Sequence, residues 1–216
     1  MDKLKQIKGA IFDLDGTLLD SLGAWSEIDR RFFEKRGIAP PPDYSQAVKN
    51  LYLKEAAHYT IERFQLNESP DAIVAEWKQM TQIFYDCEVA LKPYAKAYLH
   101  KLHARGVRLG IATSSSPELF FPALKRGGIA NLFTATVTSD EVGCGKSSPD
   151  VYLETARRLE VTPNECAVFE DIPTAVKSAR SAGFYTVAVF DKLSAHEEPL
   201  LRRESDLFIR SFSELC

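Results

Sequence analysis

No stretch of the 216 residues stays apolar for the ~20 positions that a bilayer-spanning helix needs. The opening residues, Met1-Asp2-Lys3-Leu4-Lys5, have mixed charge and lack the apolar run of a signal peptide. The net charge is −3, so the basic surface that nucleic acid would require is missing. Cysteine is sparse and scattered: Cys87, Cys144, Cys166 and Cys216 form no C-x-x-C pair, which suits reduced thiols in a cytoplasm better than a disulfide framework or a zinc site. The four histidines are equally dispersed, so any bound metal should have oxygen ligands. Internal repeats and low-complexity tracts are also absent. What is left is an ordinary globular composition, 45% hydrophobic and 26% charged, in a chain long enough for one sizeable α/β domain or for a core with an insert.

Short apolar runs punctuate the chain, and several end in polar residues. Ala10-Ile11-Phe12 ends at Asp13. The run from Val107 to Ala112 ends at Thr113-Ser114-Ser115, that from Phe133 to Val137 leads to Ser139-Asp140, and that from Cys166 to Phe169 ends at Glu170-Asp171. Thr186 to Phe190 and Leu207 to Ile209 read as further strands toward one edge. Helical periodicity fills the gaps at roughly 94–105, 117–127, 149–160 and 173–182, with Gly106, Gly127-Gly128 and Gly183 where the helices should stop. Strands alternating with helices predict βαβ units and a parallel sheet. Ligands of such sheets bind beyond the carboxyl ends of the strands, where these polar endings would gather.

Residues from about 22 to 90 break the alternation. They carry helical periodicity through Trp25, Ile28, Phe32 and Phe33, then Leu51, Ala56, Tyr59 and Phe64, then Ile73, Trp77, Met80 and Phe84. Pro40-Pro41-Pro42 and Glu68-Ser69-Pro70-Asp71 cut this stretch into pieces. The pattern predicts a small helical insert after the first strand, with its apolar stripes forming its own core. Residues 191–206 read as a solvated loop or short helix, with Asp140 and Asp191 as ordinary loop acids.

Asp13 and Asp15 stand two apart at a strand exit, so both can point to the same side, with Gly16 turning the chain away. Either they are turn residues in water, or something positive compensates them. With Glu170 and Asp171 they would make an oxygen-rich site suited to Mg²⁺. Lys146, just before the Ser147-Ser148-Pro149-Asp150 helix start, could neutralise a phosphoryl group, and Thr113 and Ser114 offer hydroxyl and backbone N–H donors. Each signal also has a plain structural reading: a turn, a solvated lysine, an N-cap, an acidic helix start. Their order, each at a strand end of a single chain, favours phosphoryl-transfer chemistry, which rests on positioning and charge neutralisation.

That ordered set resembles the haloacid dehalogenase-like hydrolase superfamily over essentially the whole chain. Asp13-Leu14-Asp15-Gly16-Thr17 matches its D-x-D-G-T/V motif, Thr113 its Ser/Thr motif, Lys146 in "GKSSPDVY" its lysine motif, and Glu170-Asp171 in "FEDIPTAVKSARSAG" its acidic motif. A helical stretch between the first two motifs is similar to the phosphoglycolate phosphatase and β-phosphoglucomutase branch. The resemblance implies a Rossmann-like α/β core of residues 1–20 and 91–216, a parallel sheet flanked by helices, and a helical cap of residues 21–90. It further implies that Asp13 is the nucleophile and Asp15 the general acid and base. Asp13, the Asp15 backbone carbonyl and Asp171 would hold Mg²⁺, with Glu170 supporting. Thr113, Ser114 and Lys146 would bind the phosphoryl group. The implied activity is hydrolysis of a small phosphate monoester. A phosphomutase is the alternative, but Trp25 stands where that branch has a histidine and Leu53-Lys54 where it has an arginine. A silent interaction protein would have lost a motif, and none is lost. Ser21, Trp25 and Lys49 are candidate substrate contacts of the cap or hinge; the ester and the oligomeric state stay open.

Overall fold

The computed structural model describes residues 3–48, 51 and 53–216. The chain forms two units, Met1–Leu22 with Val89–Cys216, and Gly23–Glu88. The boundaries lie two residues inside those expected at 20/21 and 90/91, which places Ser21 in the first unit. None of the described helices is long and apolar enough to cross a membrane.

The first unit is built on a parallel six-stranded sheet, ordered β3-β2-β1-β4-β5-β6. The strands are β1 (Gly9–Phe12), β2 (Arg108–Thr113), β3 (Phe133–Thr138), β4 (Cys166–Glu170), β5 (Tyr185–Val189) and β6 (Leu207–Ile209). β1 and β4 are buried along their whole length, as expected of central parallel strands covered on both faces. Residue alternation in β1 feeds two different cores. Ile11 packs with Val137, Val151, Tyr152, Val168 and Ala179 on one side. Phe12 stacks on Phe169 with ring centroids 4.4 Å apart, and Phe169 in turn meets Tyr98 and Phe212.

The strand order sets the site. From β1 the chain winds outward through β2 and β3, then returns to the other side of β1 for β4, β5 and β6. The carboxyl ends of β1 and β4 therefore flank the switch point, where the crossovers diverge and leave a crevice. The segments leading out of and back into this unit are tied together, Asp20 N–H donating to Ala90 O (2.9 Å) and Lys92 N–H to Leu18 O (2.8 Å). Lys92 also pairs with Asp191 at 2.8 Å. Asp191 is thus not the solvated loop acid expected: it is buried, and its carboxylate also accepts the Leu193 N–H. The stretch before β6 contains a short helix, Glu198–Glu204.

The second unit holds the helices Ala24–Glu34, Tyr44–Val48, Leu53–Phe64 and Pro70–Cys87. The last begins as its sequence dictates: Ser69 caps the Ala72 N–H, and Pro70 occupies the first turn, where its missing N–H costs nothing. Ile28, Phe32, Phe33, Ala57, Ile73 and Trp77 form the unit's own core. Arg36 lies over the Phe32 ring and reaches Glu68 and Glu76. Two members of the expected apolar stripes are not core: Trp25 is 50% and Leu51 38% exposed.

Asp29, on the first of these helices, is the least comfortable acid in this unit. Burial pushes its carboxyl up to about 6, against a hydrogen bond with Ser45. An unfolded aspartate ionises near pH 4, so between about pH 4 and 6 the unfolded chain releases a proton that the folded one retains. Stability must fall as pH rises through that window. Asp29→Asn removes the penalty, and after allowance for partial exposure the expected gain is about 1–2 kcal/mol at pH 7.5, vanishing near pH 4. Thermal unfolding of both proteins at the two pH values checks this; a difference that does not change with pH would refute it.

Candidate active site

The chain leaves β1 at Phe12, and the Asp13 N–H still donates to Phe169 O on β4 (3.0 Å), so the sheet pairing carries Asp13 to the rim. Immediately afterwards the backbone closes on itself, Leu14 O accepting from the N–H groups of Thr17, Leu18 and Leu19. Gly16 takes φ +83° in this turn, and a Cβ there would run into the Asp171 carboxylate. Glycine is required twice over, for the left-handed backbone and for the closeness of the second acid.

Asp13, Glu170 and Asp171 are all buried, with one carboxylate oxygen of each within 4.8 Å of the others. Lys146 answers this charge. Its ammonium contacts Asp13 Oδ1 and lies 2.5 Å from Glu170 Oε1. Glu170 is fully committed: Oε1 also accepts from the Tyr152 hydroxyl (2.9 Å), and Oε2 accepts the N–H groups of Asp171 (3.0 Å) and Ile172 (3.2 Å). It therefore holds both the lysine and the turn that carries Asp171. The Thr17 hydroxyl donates to Asp171 Oδ1 at 3.1 Å.

The electrostatics follow from this crowding. Burial pushes the Asp13 carboxyl up to about 7 although the Lys146 ammonium pulls it down. Burial, then the charges of Glu170 and Asp13, raise Asp171 well above the carboxylate range. Burial opposes the charge on Lys146, but Asp13 and Glu170 outweigh it and hold its pKa above the ordinary lysine value. Burial and the Glu170 charge keep Tyr152 a neutral phenol. One lysine facing three buried acids leaves an excess of negative charge that a hard cation with oxygen ligands would relieve.

Asp15 stands beside this cluster, half-buried. Ser21 Oγ donates to its Oδ1 (2.6 Å) and Ser115 Oγ to its Oδ2 (2.5 Å). At the end of β2, the buried Thr113 hydroxyl accepts the Ser115 N–H (3.1 Å), while Ser114 Oγ is engaged with Ser139 Oγ (2.9 Å).

Asp13, Glu170, Asp171 and Lys146 come together directly, while Asp15 is held by Ser21 and by Ser115 from the end of β2. Ser21, expected as a cap or hinge contact, lies near the end of the sheet unit's first segment and is buried, with its hydroxyl on Asp15. Trp25 lies in the helical unit and, with Asp29, Tyr44, Leu51, Leu53 and Trp77, lines a cavity of about 340 Å³. Lys49 lies outside the described residues. Three hydroxyls outside the expected set also bond the acids: Ser115 to Asp15, Thr17 to Asp171 and Tyr152 to Glu170. Ser115 is the second serine after the matched threonine and Tyr152 the tyrosine of "GKSSPDVY", so both stand inside the matched motifs.

Residues 10–189 match the haloacid dehalogenase-like hydrolase family. The chain is a member of that family. Hexitol phosphatase A of Escherichia coli (strain K12) is 32% identical to it over 96% of this chain and 93% of its own length. A validoxylamine A 7′-phosphate phosphatase of Streptomyces hygroscopicus subsp. limoneus is 28% identical, over 96% and 95%. Among solved structures, a Thermotoga maritima chain assigned as a β-phosphoglucomutase superposes with a TM-score of 0.83 at 25% identity, over 94% of each chain. The switch-point sheet and the acidic rim of this haloacid dehalogenase-like hydrolase are thus those of an enzyme family, and the names of its relatives are dominated by phosphatases.

Proposed function

We propose that the chain is a cytoplasmic, Mg²⁺-dependent phosphatase of a small phosphate monoester, a sugar phosphate or similar metabolite, acting through an aspartyl-phosphate on Asp13. The observation that carries this reading is the buried Asp13–Lys146–Glu170 contact with Asp171 beside it: a nucleophile, a charge-neutralising lysine and an acidic set in one crevice. The donor set fits the ion, since all candidates are oxygens and three buried acids face a single lysine. Asp13, Asp171 and the Asp15 backbone carbonyl would hold it, with Glu170, its oxygens already committed, supporting through water. When bound, Mg²⁺ would neutralise charge on the transferring phosphoryl group.

The chain's own residues carry the rest. An Asp13 oxygen forms a bond to phosphorus as the bond from phosphorus to the ester oxygen breaks; the electron pair leaves with that oxygen, which takes a proton from Asp15. Asp15, now a carboxylate, removes a proton from the water that next attacks the same phosphorus, and Asp13 is released. Lys146, the Thr113 hydroxyl and the Ser114 N–H receive the non-bridging oxygens. We assign the choice of ester to the helical unit, whose residues differ from the mutase pattern at Trp25 and Leu53. The test is phosphate release from a panel of sugar, polyol and nucleoside monophosphates, with Mg²⁺ and with chelator. Release that needs Mg²⁺ is expected. A chain that releases none, but interconverts sugar phosphates once given a bisphosphate activator, is a mutase; one that does neither is a binding protein.

A further inference from the structure

Both oxygens of Asp15 accept a hydroxyl, from two places far apart in sequence: Ser21 is six residues on, Ser115 one hundred. Ser115 is itself fixed, because its N–H donates to the Thr113 hydroxyl at the end of β2. We propose that Ser115, together with Ser21, positions Asp15 for proton transfer, so that the loop receiving the phosphoryl group also aims the acid at the leaving oxygen. This rests on the phosphatase reading above and assigns a task to two serines that do not touch the phosphoryl group.

The choice of hydroxyls is chemically specific. A carboxyl that alternates between acid and base must be held in both forms. The ionised form only accepts hydrogen bonds, whereas the protonated form must donate one proton. A lysine, arginine or tryptophan partner can only donate, and so would hold one form and oppose the other. A serine hydroxyl rotates to do either. Two serines can hold the ionised carboxylate as double donors. When Asp15 carries the proton, one still donates while the other gives way toward the ester oxygen. Bonds to both oxygens also fix the plane of the carboxyl group, which a single bond would leave free to swing.

The consequence depends on the leaving group. An alkyl phosphate expels a strongly basic alkoxide and needs the proton from Asp15 as the bond to phosphorus breaks. p-Nitrophenyl phosphate expels a stable phenolate and does not. The quantity kcat/KM reports steps up to release of that group, before Asp15 is needed as a base. Ser115→Ala is therefore expected to lower kcat/KM for an alkyl phosphate by roughly 10- to 100-fold, a part of what general acid catalysis supplies. For p-nitrophenyl phosphate the loss should stay within about threefold, because no proton is called for. Ser21→Ala should act in the same sense, and Ser115→Thr, which keeps the hydroxyl, should restore the alkyl ester. Equal losses on both esters, no loss on either, or failure of threonine to rescue would overturn the proposal. Wild-type protein that hydrolyses neither ester would instead overturn the phosphatase reading beneath it.

Discussion

Asp13→Asn is expected to abolish phosphate release and to yield a protein at least as stable as the original in chelator. The two halves of this expectation have one cause, the buried carboxylate. An amide oxygen is too poor a nucleophile to displace the ester, and one anionic ligand for the cation goes with it, so the loss should reach at least about 10⁴-fold. Burial meanwhile holds the Asp13 carboxyl at about 7. The unfolded chain gives up this proton near pH 4, so the metal-free protein loses stability as pH rises from about 4 to 7. Asparagine carries no such titration. In chelator the variant's advantage in Tm should therefore be larger at pH 8 than at pH 5. Activity assays and thermal unfolding at the two pH values check both halves. Residual turnover within tenfold of wild type would remove Asp13 from the nucleophile's place, and a destabilised variant would contradict the account of its burial.

The sheet was legible because its strands announce themselves. Ala10-Ile11-Phe12 and Cys166-Ala167-Val168-Phe169 are continuous apolar runs, as strands buried on both faces must be, and each is followed by its acids. The helix limits were legible to within a residue or two where glycine or proline marks them, as at Pro117–Gly127. Pairings formed across long sequence separations were not. Nothing near Asp191 announces Lys92, and nothing near Asp15 announces Ser115, one hundred residues away. Charge alone marked Asp191 for the surface; its partner brought it inside. The same limit explains Ser21. Its position beyond the first motif does not announce the bond its hydroxyl makes to Asp15. In the helical unit, periodicity correctly marked Phe32 and Trp77 as core but could not tell Trp25 from them. A residue at the first turn of a helix has neighbours on fewer sides than one in the middle, and the 3.6-residue repeat does not record that.

Lys146→Met should part from Asp13→Asn in stability: it is expected to cost both activity and stability. The ammonium is the one described cation among the buried acids, touching Asp13 and Glu170 together. Methionine keeps the volume and removes the charge, leaving two buried carboxylates face to face. Removing one partner of such a buried pair costs roughly 3–5 kcal/mol. On the proposed role of Lys146 in receiving the phosphoryl oxygens, losing its charge should add roughly a 10³-fold fall in turnover. Mg²⁺ should raise the Tm of this variant more than that of the original, because it enters a site with one positive charge fewer, yet turnover should stay low. The decisive comparison is the double variant Asp13→Asn/Lys146→Met. If the lysine stabilises the fold by compensating Asp13, removing that acid as well should return part of what the single change lost, and the two effects will not add. Strict additivity in denaturant unfolding would mean that Lys146 serves Glu170 alone, and that the nucleophile's charge is balanced by something other than this lysine.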